Sequence, residues 1–128
     1  MKYIQTEKAP KAVGPYSQAI ASNGFVFCSG QIGIDPATNE LVEGLEKQAH
    51  QVLKNLSEVL NSSNSSLEHV VKTTVYLSII NDYPKMNEIY AEYFSNHKPA
   101  RAAFAVAALP KGALIEIEAM AEQKSRTK

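Results

Sequence analysis

Tryptophan is absent from this chain of 128 residues, cysteine occurs once, histidine three times, and neither sign of charge prevails, with 13 Lys and Arg against 13 Asp and Glu. Each shortage closes off a class of function. The lone thiol, Cys28, excludes an intramolecular disulfide framework and points to a reducing compartment. His50, His69 and His97 stand at no metal-ligand spacing, so no metal is expected. A formal charge of zero supplies none of the broad positive field that nonspecific nucleic-acid binding requires, which counts against a nucleic-acid partner. Apolar runs fall far short of the ~20 residues of a membrane helix, and Met1 to Gln18 contain no signal-peptide core. A soluble protein without membrane association is therefore expected. Asn55, Asn61 and Asn64 each open an Asn-x-Ser sequon, but without a secretory signal these matches read as accidental. The expected location is the cytoplasm, with the mitochondrial matrix as the alternative if a presequence has been removed.

The usual catalytic constellations are missing as well: no Gly-rich phosphate loop, no Gly-x-Ser-x-Gly elbow, no paired histidines. Cys28 lies between Phe27 and Ser29 in an apolar run and reads as a buried structural thiol rather than a nucleophile.

What is present organises as one domain over residues 1–128, a length that buries a single core. Two short apolar runs, 16–22 and 25–29, flank Asn23-Gly24, whose residues tolerate the positive φ of a two-residue hairpin loop. Gly33 to Gly44, with Asp35-Pro36 and Thr38-Asn39, reads as a loop. From Gly44 to about Asn61, Leu45, Ala49, Val52, Leu53, Leu56, Val59 and Leu60 recur at helical spacing, and the Asn/Ser hexamer 61–66 ends that helix as a connector. Residues 69–79 alternate as a strand with Val71, Thr73, Val75, Leu77 and Ile79 on one face. Asn81 or Asp82 then caps a second helix with Pro84 in its first turn and an apolar stripe of Met86, Ile89, Tyr90, Tyr93 and Phe94. Strands at 101–109 and 113–121 surround Pro110-Lys111-Gly112. The order β-β-α-β-α-β-β, with two amphipathic helices, predicts an α+β sandwich: one sheet with both helices on one face. The uncovered face is expected to keep Val, Ile, Leu and Ala, an apolar patch of the kind that marks an interface.

One residue interrupts the apolar C-terminal segment. Arg101 opens a run of alanines, and a guanidinium there costs desolvation unless an anion or a set of acceptors answers it; a planar carboxylate is its best geometric match. The alternative is a surface arginine at a strand end. Downstream, Glu116 and Glu118 share one strand face with Leu114 and Met120, while Ile115, Ile117, Ala119 and Ala121 share the other. A tight hairpin at Lys111 would pair Glu116 with Val106 and leave it apart from Arg101. If both serve one site, either the loop is irregular or a cleft gathers residues of different subunits.

Several blocks, in their order and spacing, resemble the RidA (YjgF) family of reactive imine deaminases over nearly the whole chain. They are Gly14-Pro15-Tyr16-Ser17-Gln18-Ala19, Ser29-Gly30-Gln31-Ile32, Val71-Lys72-Thr73-Thr74-Val75-Tyr76-Leu77, Asn87-Glu88-Ile89-Tyr90, Lys98-Pro99-Ala100-Arg101, Leu109-Pro110-Lys111 and Ile115-Glu116-Ile117-Glu118-Ala119. The resemblance implies a chorismate-mutase-like fold and a homotrimer with sites in intersubunit clefts. It implies hydrolysis of small 2-imino acids, without a cofactor, by an arginine that clamps the carboxylate, here Arg101, and a glutamate that holds the attacking water, here Glu116. It also places Tyr16, Ser29, Gly30 and Asn87 at the substrate pocket. Many members read Arg-Ser-Cys where this chain has Arg101-Ala102-Ala103, so Ala103 can take part through its backbone only. Two other functions stay open beside the deaminase: a non-enzymatic trimeric binding module, and an RNA-directed activity, for which the sequence shows no basic stripe with exposed aromatics.

Overall fold

Asn23 and Gly24 take φ values of 53° and 81° and close the first hairpin, as their side chains allow. In the computed structural model, which describes residues 1–125, that hairpin joins β2 (Ala19–Ser22) to β3 (Phe25–Ile32). Around it lie β1 (Lys2–Ile4), the two-residue strands β4 (Ile34–Asp35) and β5 (Glu40–Leu41), α1 (Leu45–Asn61), β6 (Val70–Leu77), α2 (Tyr83–Tyr93), β7 (Ala100–Ala105) and β8 (Ile115–Glu122). β4 and β5 pair with each other inside the expected loop. The main sheet has the strand order β1-β2-β3-β8-β6-β7, antiparallel throughout except for the parallel β6–β7 pair.

Both helices pack on one face of this sheet, as expected. α1 buries Ala49, Val52, Leu53, Leu56, Val59 and Leu60 against β3 and β8, each large aliphatic side chain contributing roughly 1.5–3 kcal/mol. Two polar side chains share the buried face and fix the helix in register. Asn55 Nδ2 donates to the Ile34 carbonyl at 2.9 Å, and Gln48 donates from Nε2 to the Val42 carbonyl while its Oε1 accepts from the Leu114 amide at 2.8 Å. α2 buries Met86, Ile89 and Tyr90, with Phe94 just beyond it. The Asn/Ser connector is tied in at its far end, where Ser65 Oγ donates to the Glu122 carbonyl at 2.7 Å.

Three sequence expectations need correction. The strands at 101–109 and 113–121 do not form a hairpin: β7 ends at Ala105 and runs parallel to β6, while β8 inserts between β3 and β6. The Pro-Lys-Gly turn is real, with Lys111 at φ 58° and ψ 22°, but it serves a wider crossing. Second, a register shift between Val70 and Lys72 makes Val70 fully buried and turns Val71 outward, and Ile79 lies outside the strand, half exposed. Third, of the Val, Ile, Leu and Ala expected on the face away from the helices, only a few such as Ile20 and Ala102 stand there. Most of the aliphatics fill the core, and the open face presents Phe25, Phe27, Phe104 and Met120, 41, 45, 45 and 39 % exposed. Tyr76 packs edge-on against Phe104 on that face.

Candidate functional site

Strand β3 carries one residue more than β8 between the pairs Cys28–Ala119 and Gln31–Ile117, and the resulting bulge is Ser29-Gly30. Bulges re-aim side chains, and this one faces a cavity of about 640 Å³ lined by Tyr16, Ser29, Gly30 and Glu116. Gly30 is needed there. A Cβ on it would stand 2.9 Å from Glu116 Cδ and 3.1 Å from Cγ, so the carboxylate lies directly over the bare backbone. Ser29 Oγ donates to the Ser17 carbonyl at 2.6 Å, which holds the segment before β2 against the bulge and leaves the oxygen lone pairs for a ligand. Tyr16, 54 % exposed, stands at the mouth.

Glu116 projects from β8 between Ile115 and Ile117, which are fully buried on the helix side. Burial holds its carboxyl above the ordinary carboxylate range, and the charge of Glu118, next on the same face, raises it further. Tyr76 faces the same pair. Its phenol is pushed up by desolvation, then by the charge of Glu118 and a hydrogen bond with it, and then by Glu116.

Arg101 lies elsewhere. It pairs in register with Thr73, which is 1 % exposed and bonded to Tyr90 of α2, so Arg101 points to the helix side of β7, the last strand of the sheet. Its Nη2 donates to the Tyr83 hydroxyl at 2.6 Å, and its guanidinium carbon stands 4.8 Å from the Tyr90 ring centroid and 5.5 Å from that of Tyr83. Among the described residues no carboxylate pairs with it, and the ion pairs present join Lys85 to Glu46 and Glu88. A partly buried guanidinium without a counterion is prepared for an anion. Asn87 stands on α2 one turn after Tyr83, exposed, and Ala103 shares the Arg101 face of β7, packed partly against the core.

The candidate residues therefore fall into two groups on opposite faces of one sheet: Tyr16, Ser29, Gly30 and Glu116 around the cavity, and Arg101, Asn87 and Ala103 beside α2. A single chain does not join them. Cys28 belongs to neither, since burial pushes its thiol up to about 12 and keeps it protonated, in agreement with a structural role. Among the described residues no three His, Cys, Asp or Glu side chains gather as metal ligands. Sequence reasoning missed Tyr83 and took Tyr90 for core alone. The available signal was the i, i+4, i+7 spacing of Tyr83, Asn87 and Tyr90 on one helix face.

Two helices on one face of a mixed six-stranded sheet define an α+β class that this chain shares with many solved structures. One is a putative endoribonuclease L-PSP from Entamoeba histolytica, 53% identical, with a TM-score of 0.93 over 94% of this chain and 98% of that one. The family model described as Endoribonuclease L-PSP matches residues 6–123, and the chain belongs to that family, RidA (YjgF). It is 56% identical over 119 residues to a RutC family protein of Pyrococcus horikoshii, covering 92% of this chain and 94% of the relative. It is 52% identical over 123 residues to the human 2-iminobutanoate/2-iminopropanoate deaminase, covering 95% of this chain and 90% of the human protein.

Proposed function

We propose that the protein hydrolyses short 2-imino acids, among them 2-iminobutanoate and the 2-iminopropanoate that arises from 2-aminoacrylate, to 2-keto acids and ammonia. The observation that carries this reading is the Glu116 carboxylate seated over Gly30 in a bulge-lined cavity, within a chain half identical to a relative named for that reaction. Water adds to the imine carbon and the carbinolamine expels ammonia, so the C=N bond is replaced by C=O with no redox change and no cofactor. Glu116 holds the water and takes its proton; a carboxylate with a raised proton affinity suits both acceptance and return of that proton. The lone pairs of Ser29 Oγ face the protonated imine nitrogen, and Arg101 clamps the substrate carboxylate through two parallel N–H bonds. Tyr16 closes the mouth, and backbone groups at Ala103 and the Asn87 side chain border the carboxylate end.

The same proposal places Arg101 and Glu116 of different subunits in one cleft of a homotrimer. The exposed Phe25, Phe27, Phe104 and Met120 on the open face support association, because a face of that kind is stabilised by burial. It also places the protein in the cytoplasm, with the mitochondrial matrix as the alternative. An RNA-cleaving reading has less support: the adjacent carboxylates of Glu116 and Glu118 would repel a phosphodiester, and the chain is neutral overall. The test is a coupled assay in which a pyridoxal-phosphate dehydratase generates 2-iminobutanoate or 2-iminopropanoate in situ. Accelerated loss of the imine on adding the protein is expected, and a rate equal to the buffer rate would overturn the reading.

A further inference from the structure

Among the described residues, the charge of Arg101 is answered by neutral groups alone. Tyr83 offers a phenol oxygen and a ring, Tyr90 a second ring, and Tyr90 is itself fixed through its hydroxyl, 2.7 Å from Oγ1 of the buried Thr73. Tyr90 also packs against Phe94 at 4.7 Å between centroids, so the ring nearer to the guanidinium has little freedom. A carboxylate partner would hold an arginine equally well but would neutralise it and compete with an incoming carboxylate. Ring faces attract the cation through their quadrupole and leave its net charge intact, and the one hydrogen bond, from Nη2 to the Tyr83 hydroxyl, leaves the remaining N–H donors for a ligand.

We propose that Tyr83 and Tyr90 form an aromatic clamp that positions Arg101, setting the plane of the guanidinium so that the N–H groups not bonded to Tyr83 meet a substrate carboxylate without rearrangement. The inference rests on the reading of Arg101 as the carboxylate anchor. The rings carry the effect, and the Tyr83 hydroxyl adds a smaller increment. Both tyrosines are positioning residues, since they act through Arg101 and not on the reacting atoms.

The test compares Tyr83→Phe and Tyr90→Phe, which keep the rings, with Tyr83→Leu and Tyr90→Leu, which keep apolar bulk without them. KM and kcat are measured for 2-iminobutanoate, and the dissociation constant of 2-oxobutanoate, the keto product, is measured by calorimetry. In the Leu variants KM and the dissociation constant are expected to rise together by about fivefold to twentyfold with kcat within about threefold, while the Phe variants stay within about threefold of the parent in all three. A purely structural role would be met by Leu and would leave product binding unchanged. If Tyr90→Leu fails to fold, Tyr83→Leu, at a partly exposed site, decides alone. Leu variants that bind 2-oxobutanoate like the parent, or Phe variants that lose as much as Leu variants, would overturn the clamp and leave the anchor role of Arg101 standing. A parent protein that neither binds 2-oxobutanoate nor hydrolyses the imine would overturn the anchor and the clamp together.

Discussion

Replacing Gly30 by Ala tests the Glu116 assignment without touching Glu116. The backbone accepts alanine, since the φ of Gly30 lies outside the left-handed region, but the new Cβ would stand 2.9 Å from Glu116 Cδ. Ordinary carbon contacts lie at roughly 3.5–4 Å, so the carboxyl has to retreat by about 1 Å. An off-minimum glutamate costs about 0.5–1.5 kcal/mol, offset by the ~0.4–1 kcal/mol that Gly→Ala gains by restricting the unfolded chain. Net stability should stay within about 1 kcal/mol, a shift in Tm within about 5 °C. Catalysis has no such compensation. A displacement of about 1 Å in the group that holds the water is worth on the order of 10²-fold in turnover. The assay is the coupled imine reaction beside a thermal melt of the same preparation. Turnover within about threefold of the parent at an unchanged Tm would refute the reasoning, because the carboxylate would then have moved without consequence. A large fall in Tm would refute it differently, by showing that the backbone and not the carboxylate yields.

Four further outcomes are expected. Arg101→Lys should abolish most imine hydrolysis while the melt stays close to the parent, since an ammonium cannot reproduce a bidentate fork; near-normal kcat and KM in the Lys variant would make Arg101 structural. Glu116→Gln should cost at least about tenfold in turnover and Glu118→Gln much less. Because Glu118 helps to raise the Glu116 carboxyl, Glu118→Gln should also move the acid limb of the rate profile to lower pH; equal losses, or an unmoved limb, would mean the wrong carboxylate was assigned. A raised carboxyl binds its proton more tightly in the folded state, so its contribution to stability is present at low pH and is lost as pH rises through the raised value. Glu116→Gln should therefore melt no lower than the parent at pH 8, and a clear drop there would contradict the burial argument. Light scattering at micromolar concentration should report a trimer, and a stable monomer would sink the shared-cleft proposal.

Local chemistry was readable where a short segment decides the outcome. Asn23-Gly24, the apolar periodicity of α1 and the alternation of β8 each appear where their residues place them. The choice of neighbour for β7 was not readable. Pro110-Lys111-Gly112 suggests a hairpin to any reading of nearby residues, whereas the pairing of β7 with β6 and the insertion of β8 are settled by contacts distant in sequence. The single extra residue at Val70–Lys72 moved Val71 outward for a similar reason, since no side chain announces a bulge. At the site, Gly30 was recognised from its motif, but the physical need for it, a carboxylate from another strand lying on its backbone, shows only in three dimensions.

On the proposed shared cleft, each chain would carry two unlike half-sites back to back, since β7 lies at the sheet edge with Arg101 on the helix side while Glu116 rises from the other face. In a closed ring every junction would then take one half from each neighbour. Two inactive alleles, one lacking the arginine and one lacking the glutamate, would then complement each other when co-assembled, because about a quarter of the junctions in randomly mixed rings would unite an intact arginine with an intact glutamate. Dose and dominance in a heterozygote would follow from that geometry, and an isolated subunit would be inert.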